Sequence, residues 1–144
     1  MAKIERFEDL KVWQASRLLA IEVFELFKNE KFAKDYSLKD QMNRSSGSIM
    51  DNIAEGFERG GKKEFIQFLY IAKGSAGELR SQIYRAKDRE FIENDEFEKL
   101  LKKVEEASKQ LMGFIQYLKN TEYKGNMYVQ ESELVYENSD NFEL

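Results

Sequence analysis

Apolar side chains return every three or four residues along most of the chain, and this spacing predicts four amphipathic helices. Val12, Trp13, Ser16, Leu19, Ala20, Val23, Phe24, Leu26 and Phe27 place the first helix at about Asp9 to Asn29, with Glu8 and Asp9 where the helix dipole favours acids. Ser37, with Asp40 three residues on, is a capping-box pattern. It opens a second helix whose stripe is Leu38, Met42, Ser45, Ile49 and Ile53, ending near Gly56. The third helix starts around Lys62 and carries a heptad-like seam of Phe65, Leu69, Ala72, Ala76, Leu79, Ile83 and Ala86. Asn94 is the expected N-cap of the fourth, with Asp95 and Glu96 in its first turn, the seam Phe97, Leu101, Val104, Ala107, Leu111, Phe114 and Leu118, and an end at Asn120.

Four such segments joined by short connections predict an all-α fold, an antiparallel up-down-up-down four-helix bundle over residues 1–124. Residues 125–144 form a short C-terminal tail with scattered aromatics and no helical stripe. The alternative for the tail is short strands or docking on a bundle groove through Tyr128, Val129, Leu134, Val135 and Tyr136. Charge separates the two parts. All 23 basic residues lie at or before Lys124, whereas Glu131, Glu133, Glu137, Asp140 and Glu143 lie beyond it, so the bundle is near +1 and the tail carries −5 of the overall −4.

Composition narrows the chemistry. The chain of 144 residues has no histidine and no cysteine, which removes the commonest general base and metal ligand and the best neutral-pH nucleophile. No enzyme, metal or cofactor is expected. The absence of proline and 35% charged residues favour long unbroken helices. The N-terminal MAKIERFEDLK holds no apolar export segment and no run is long enough to span a bilayer, so a cytoplasmic chain without a membrane partner is expected.

The third helix asks for more than core packing. From Phe65 through Phe68 to Ala72 it is apolar around most of its circumference, which predicts a second subunit over its outer side. Gly74, Gly77 and Ser81 share one face. Each mid-helix glycine costs about 1 kcal/mol relative to alanine, so a close backbone approach is expected there, from another bundle helix or from a second chain. Lys73, Arg80 and Lys87 recur at seven-residue spacing with Arg85 and Arg89 nearby and Tyr70 and Tyr84 alongside, a strip suited to phosphates and unstacked bases. The competing reading is a solvated face pairing with Glu78 and Asp88. Asn52 and Glu55 end the second helix against local preference, and are expected to fix the following turn or to meet a cation such as Arg59. Gly60-Gly61 lacks the lysine and hydroxyl residue of a phosphate-binding loop.

FEDLKVW at Phe7 to Trp13, QMNRSSGSI, NIAEGFERGGKKEFIQFLYIAKGS at Asn52 to Ser75 and GELRSQI together resemble the four-helix bundle family of 23S rRNA intervening-sequence proteins, over about Phe7 to Leu118. The resemblance implies a ring, commonly a pentamer. It also brings in, as a relative, the accessory variability determinant of diversity-generating retroelements, which binds nucleic acid and a reverse transcriptase. Its signature falls on Asn52, Ala54, Glu55 and Gly56, and its positive surface on Lys73, Arg80, Arg85 and Arg89, with Arg44 adding to it. The chain departs from the family pattern at Asn43, Met50 and Gly61. The expected function is therefore a homo-oligomeric, pentameric scaffold that binds structured RNA or DNA through Arg44, Lys73, Arg80, Arg85, Lys87 and Arg89. The alternative is a ring that recruits a protein partner without nucleic acid.

Overall fold

The computed structural model describes residues 4–121, so the acidic tail expected at 125–144 lies outside the described residues. Four helices account for most of the described chain: α1 (Lys11–Leu26), α2 (Tyr36–Glu58), α3 (Lys62–Asp88) and α4 (Asn94–Asn120). Two 3-10 turns, Phe7–Asp9 and Glu30–Lys34, precede α1 and α2.

The helix ends differ from their sequence expectation where side-chain caps compete. α1 is shorter than expected because Glu8 and Asp9 belong to the 3-10 turn and Phe27 leaves the helix. α2 begins two residues early: Asp35, not Ser37, caps it, its Oδ1 accepting from the Leu38 N–H at 3.1 Å. Asp40 pairs instead with Arg44 one turn on. Asn29 caps the unforeseen second 3-10 turn, its Oδ1 accepting from Lys31 N–H at 3.0 Å. α2 runs past Gly56 and stops where Gly60 takes φ 83°, a left-handed conformation that glycine adopts without strain. At α4 the cap is Glu93 rather than Asn94, with the Glu96 carboxylate reaching back to the Glu93 N–H.

The inter-helix contacts run in opposite senses along each neighbouring pair. Between α2 and α3 they step from Asp35 with Arg89, through Gln41 with Arg85 and Ser45 with Gln82, to Ser48 with Ser75. Between α3 and α4 they step from Tyr84 with Phe97, through Arg80 with Glu105, to Tyr70 with Lys119. Asn29 with Phe91 and Glu22 with Lys103 set the same reversal for α1 and α4. This is the antiparallel bundle expected.

The core follows the expected stripes closely. Leu69, Leu79, Ile83, Ala86, Met42, Ile49 and Ile53 are fully enclosed, and each large aliphatic side chain buried in this way contributes about 1.5–3 kcal/mol. A ladder of rings, Phe57 to Phe65 to Phe114 at 6.0 and 5.4 Å, joins α2, α3 and α4. Two positions correct the pattern. Leu100 rather than Leu101 is the buried residue of its pair, and Phe24 does not face the core but is 59% exposed. With Leu18 and Ile21, which are 62% and 48% exposed, Phe24 forms an apolar stripe on the outside of α1. Among the described residues no helix is long and apolar enough to cross a membrane.

Candidate nucleic-acid interface

The outward face of α3 has a floor of small residues between two tyrosines. Tyr70, Gly74, Gly77, Ser81 and Tyr84 follow at intervals of four, three, four and three, one face of a helix, and all five are exposed. A Cβ added at Gly74 or Gly77 would meet nothing within 4 Å among the described residues. This overturns half of the sequence expectation: no helix of the same bundle approaches these glycines, and their backbone is bare. Phe68, expected to serve packing within the bundle or between subunits, turns to the α2 side of the helix, half-buried against Gly56 with Arg59 over its ring at 5.2 Å.

Cations line both margins of that floor. On the α4 side stand Lys73, Arg80 and Lys87, of which Arg80 pairs with Glu105 at 3.1 Å. Lys73 and Lys87 are half-buried and make no hydrogen bond or ion pair with any described residue. Lys119 of α4 joins this margin, donating to the Tyr70 hydroxyl at 2.7 Å with its ammonium 5.1 Å from the ring centroid. On the α2 side Arg85 donates to Gln41 and Arg89 pairs with Asp35. Arg44 lies on α2 beyond them, 3.1 Å from Asp40. Exposed pairs of this kind contribute about 1 kcal/mol or less, so their cations are readily handed to a phosphate. Glu78 and Glu105 interrupt the margins, and the face is a narrow cationic strip rather than a broad field. The expected pairing of this strip with Asp88 does not occur.

The signature residues hold α2 to α3. Asn52 donates through Nδ2 to the Ser48 carbonyl at 2.7 Å and to the Ser48 hydroxyl at 2.9 Å, and Ser48 meets Ser75 of α3 at 2.8 Å. Glu55 reaches Arg59 at 3.8 Å, the cation anticipated for it. Gly56 lies directly against α3, and Ala54 is partly buried against the core. These four residues are one structural unit, separate from the cationic strip.

Three features escaped the sequence reading. Lys119 is far from α3 in sequence and carries no local signal. The apolar stripe of α1 was hidden because Phe24 fits either side of a helical period. The third is a polar seam between α2 and α3, where Ser45 and Gln82 are both 5% exposed and the Ser45 hydroxyl meets Gln82 Oε1 at 2.5 Å. A glutamine between Leu79 and Ile83 on the buried side of α3 was the available signal. Among the described residues no group of three or more acidic side chains is placed to hold a metal ion.

A family model described as 23S rRNA-intervening sequence protein matches residues 8–113. A crystal structure of a protein of unknown function from the S23 ribosomal protein family of Bacteroides thetaiotaomicron superposes with a TM-score of 0.69 at 26% identity, over 73% of this chain and 98% of that one. Among curated proteins nothing matches.

Proposed function

This chain belongs to the 23S rRNA-intervening sequence protein family, and from that premise we propose that it is a non-enzymatic, homo-oligomeric accessory protein that binds structured nucleic acid through the outer face of α3. The observation that carries the proposal is the form of that face: bare glycine backbone at Gly74 and Gly77, tyrosines at both ends, and cations along both margins. A phosphate backbone needs close approach and several positive groups in a row, and it needs no specific hydrogen-bond pattern. The absence of a methyl group at two successive turns admits a sugar-phosphate chain to the helix surface. Tyr70 and Tyr84 offer rings on which an unstacked base can rest.

The apolar run expected to bring a second subunit to α3 leaves Ile71 51% exposed there, but three such residues cluster on α1, and self-association is assigned to α1. Leu18, Ile21 and Phe24 form an apolar stripe on the side of the bundle away from α3, of the kind that a neighbouring subunit covers. A ring built through α1 repeats the α3 strip around its circumference, and the pentamer common in the family would carry five copies. The same stripe favours a second reading, in which a protein partner such as a reverse transcriptase covers it in place of a second copy of this chain. Double charge reversal, Arg80→Glu with Arg85→Glu, separates the two. Loss of binding to a structured RNA with an unchanged circular dichroism spectrum supports the nucleic-acid reading, and unaltered RNA binding contradicts it.

A further inference from the structure

The seam between α2 and α3 opens to the surface as a cleft of about 260 Å³ lined by Arg44, Ser45, Ser48, Ser75, Glu78 and Gln82. Every one of these side chains is polar, whereas the bundle interior elsewhere is apolar apart from Ser16 and Ser46. Buried polar groups cost stability unless they are satisfied, and here the satisfaction is incomplete in a patterned way.

Gln82 is 5% exposed, and its Oε1 accepts from the Ser45 hydroxyl. Its amide nitrogen has no partner among the described residues, yet it is not sealed from solvent, so its donors are open to the cleft. Ser48 and Ser75 share one hydrogen bond at 2.8 Å while Asn52 already donates to the Ser48 hydroxyl. Two hydroxyl protons therefore serve a single shared bond, and one donor is left over. Arg44 stands at the rim, engaged among the described residues by Asp40 alone at 3.1 Å. Against these donors Glu78 presents a carboxylate that makes no ion pair or hydrogen bond with any described residue.

A cleft rich in donors with a free carboxylate among its lining residues does not suit a bare phosphate, which Glu78 would repel. It suits a neutral group that carries acceptors on one side and adjacent donors on the other. Among nucleobases only guanine offers two neighbouring N–H donors, N1–H and the 2-amino group, beside the acceptors O6 and N7. Glu78 and Gln82 lie one turn apart on α3, about 6 Å, which matches the span of a purine's Watson–Crick edge. The cleft is below the roughly 300 Å³ at which drug-sized ligand pockets begin, which is room for a base and not for a whole nucleotide. We infer that this cleft receives one guanine base from a single-stranded segment, with Glu78 accepting from N1–H and the 2-amino group and with Gln82 and Arg44 donating to its acceptors. The inference rests on the nucleic-acid reading of the α3 face, whose α2-side margin adjoins the cleft, and adds base selection to backbone binding.

The test uses the full chain and three labelled oligouridylates, carrying at one central position guanosine, inosine or uridine. Inosine lacks only the 2-amino group. Anisotropy should show the guanosine probe bound about tenfold more tightly than the other two, the discrimination typical of one good bidentate base contact. Glu78→Gln, at an exposed position with no partner to lose, should erase that difference. A preference for guanosine that survives Glu78→Gln moves the recognition elsewhere and overturns the assignment. Equal, salt-sensitive binding of all three probes sinks the guanine site and leaves backbone binding standing. No binding of any probe, even at low salt, overturns the guanine site, while backbone binding stands or falls separately on titration with a structured RNA.

Discussion

The Cβ that Gly56 lacks would lie 2.7 Å from Cβ of Phe68 and 3.0 Å from the Phe65 ring. Contacts that short do not occur between real side chains, so the absence of a methyl group at this position sets how closely α2 and α3 pack. The glycine is needed here for space, whereas Gly60, at φ 83°, is needed for its backbone conformation.

Gly56→Ala should therefore destabilise the bundle by up to about 2 kcal/mol, the overpacking penalty of about 1–3 kcal/mol less the roughly 1 kcal/mol of alanine's better helix propensity. Urea denaturation followed by circular dichroism reads this as a lowered midpoint. An unchanged or raised midpoint would show that Phe68 moves aside freely.

Gly74→Ala and Gly77→Ala should do the reverse, raising stability by about 0.5–1 kcal/mol each, since the added methyl meets only open space. The same substitutions should weaken RNA binding, because the methyl groups block approach to the helix backbone. If either alanine destabilises the ligand-free protein, a second chain already covers this face and self-association runs through α3 instead of α1.

Asn52→Ala removes two hydrogen bonds to Ser48 and loosens the Ser48 to Ser75 link between helices. A loss of about 1–2 kcal/mol is expected, from bonds of roughly 0.5–1.5 kcal/mol each. Because the signature residues lie apart from the cationic strip, the salt-dependent backbone part of RNA affinity should be unchanged at a temperature where the variant is folded.

Leu18→Asp with Phe24→Asp places charges in the apolar stripe of α1 at two positions more than half exposed, and removes one core-edge contact, that of Phe24 with Phe27. Light scattering should move from an oligomer mass to the 17.0 kDa of one chain. A wild-type protein that already scatters as a 17.0 kDa monomer at micromolar concentration would remove the ring from the account.

Much of this architecture was legible because the period of the apolar stripe is strong: the third helix begins at Lys62 as expected, and the fourth ends at the expected Asn120. Helix starts were less so. Ser37 and Asp35 are both good caps, and which one wins depends on the preceding 3-10 turn around Phe32, fixed by packing of Phe27, Phe32 and Phe91 from three parts of the chain. The cations of α3 were visible as a spacing, but spacing alone did not show that they flank a single floor on two sides, nor that Lys119 completes one margin. Gly74, Gly77 and Gly56 look alike in sequence. Only the position of the neighbouring helix tells a glycine that admits α3 from two that face solvent.

The most direct test of nucleic-acid binding through α3 is titration of a labelled structured RNA with the full-length protein over a series of salt concentrations. If three or four phosphates meet the strip, log affinity should fall with log salt at a slope of about −3, and the Arg80→Glu, Arg85→Glu protein should lose both the binding and the slope. Absence of binding even at low salt, or binding indifferent to salt and to both reversals, would contradict it and turn the α1 ring toward a protein partner.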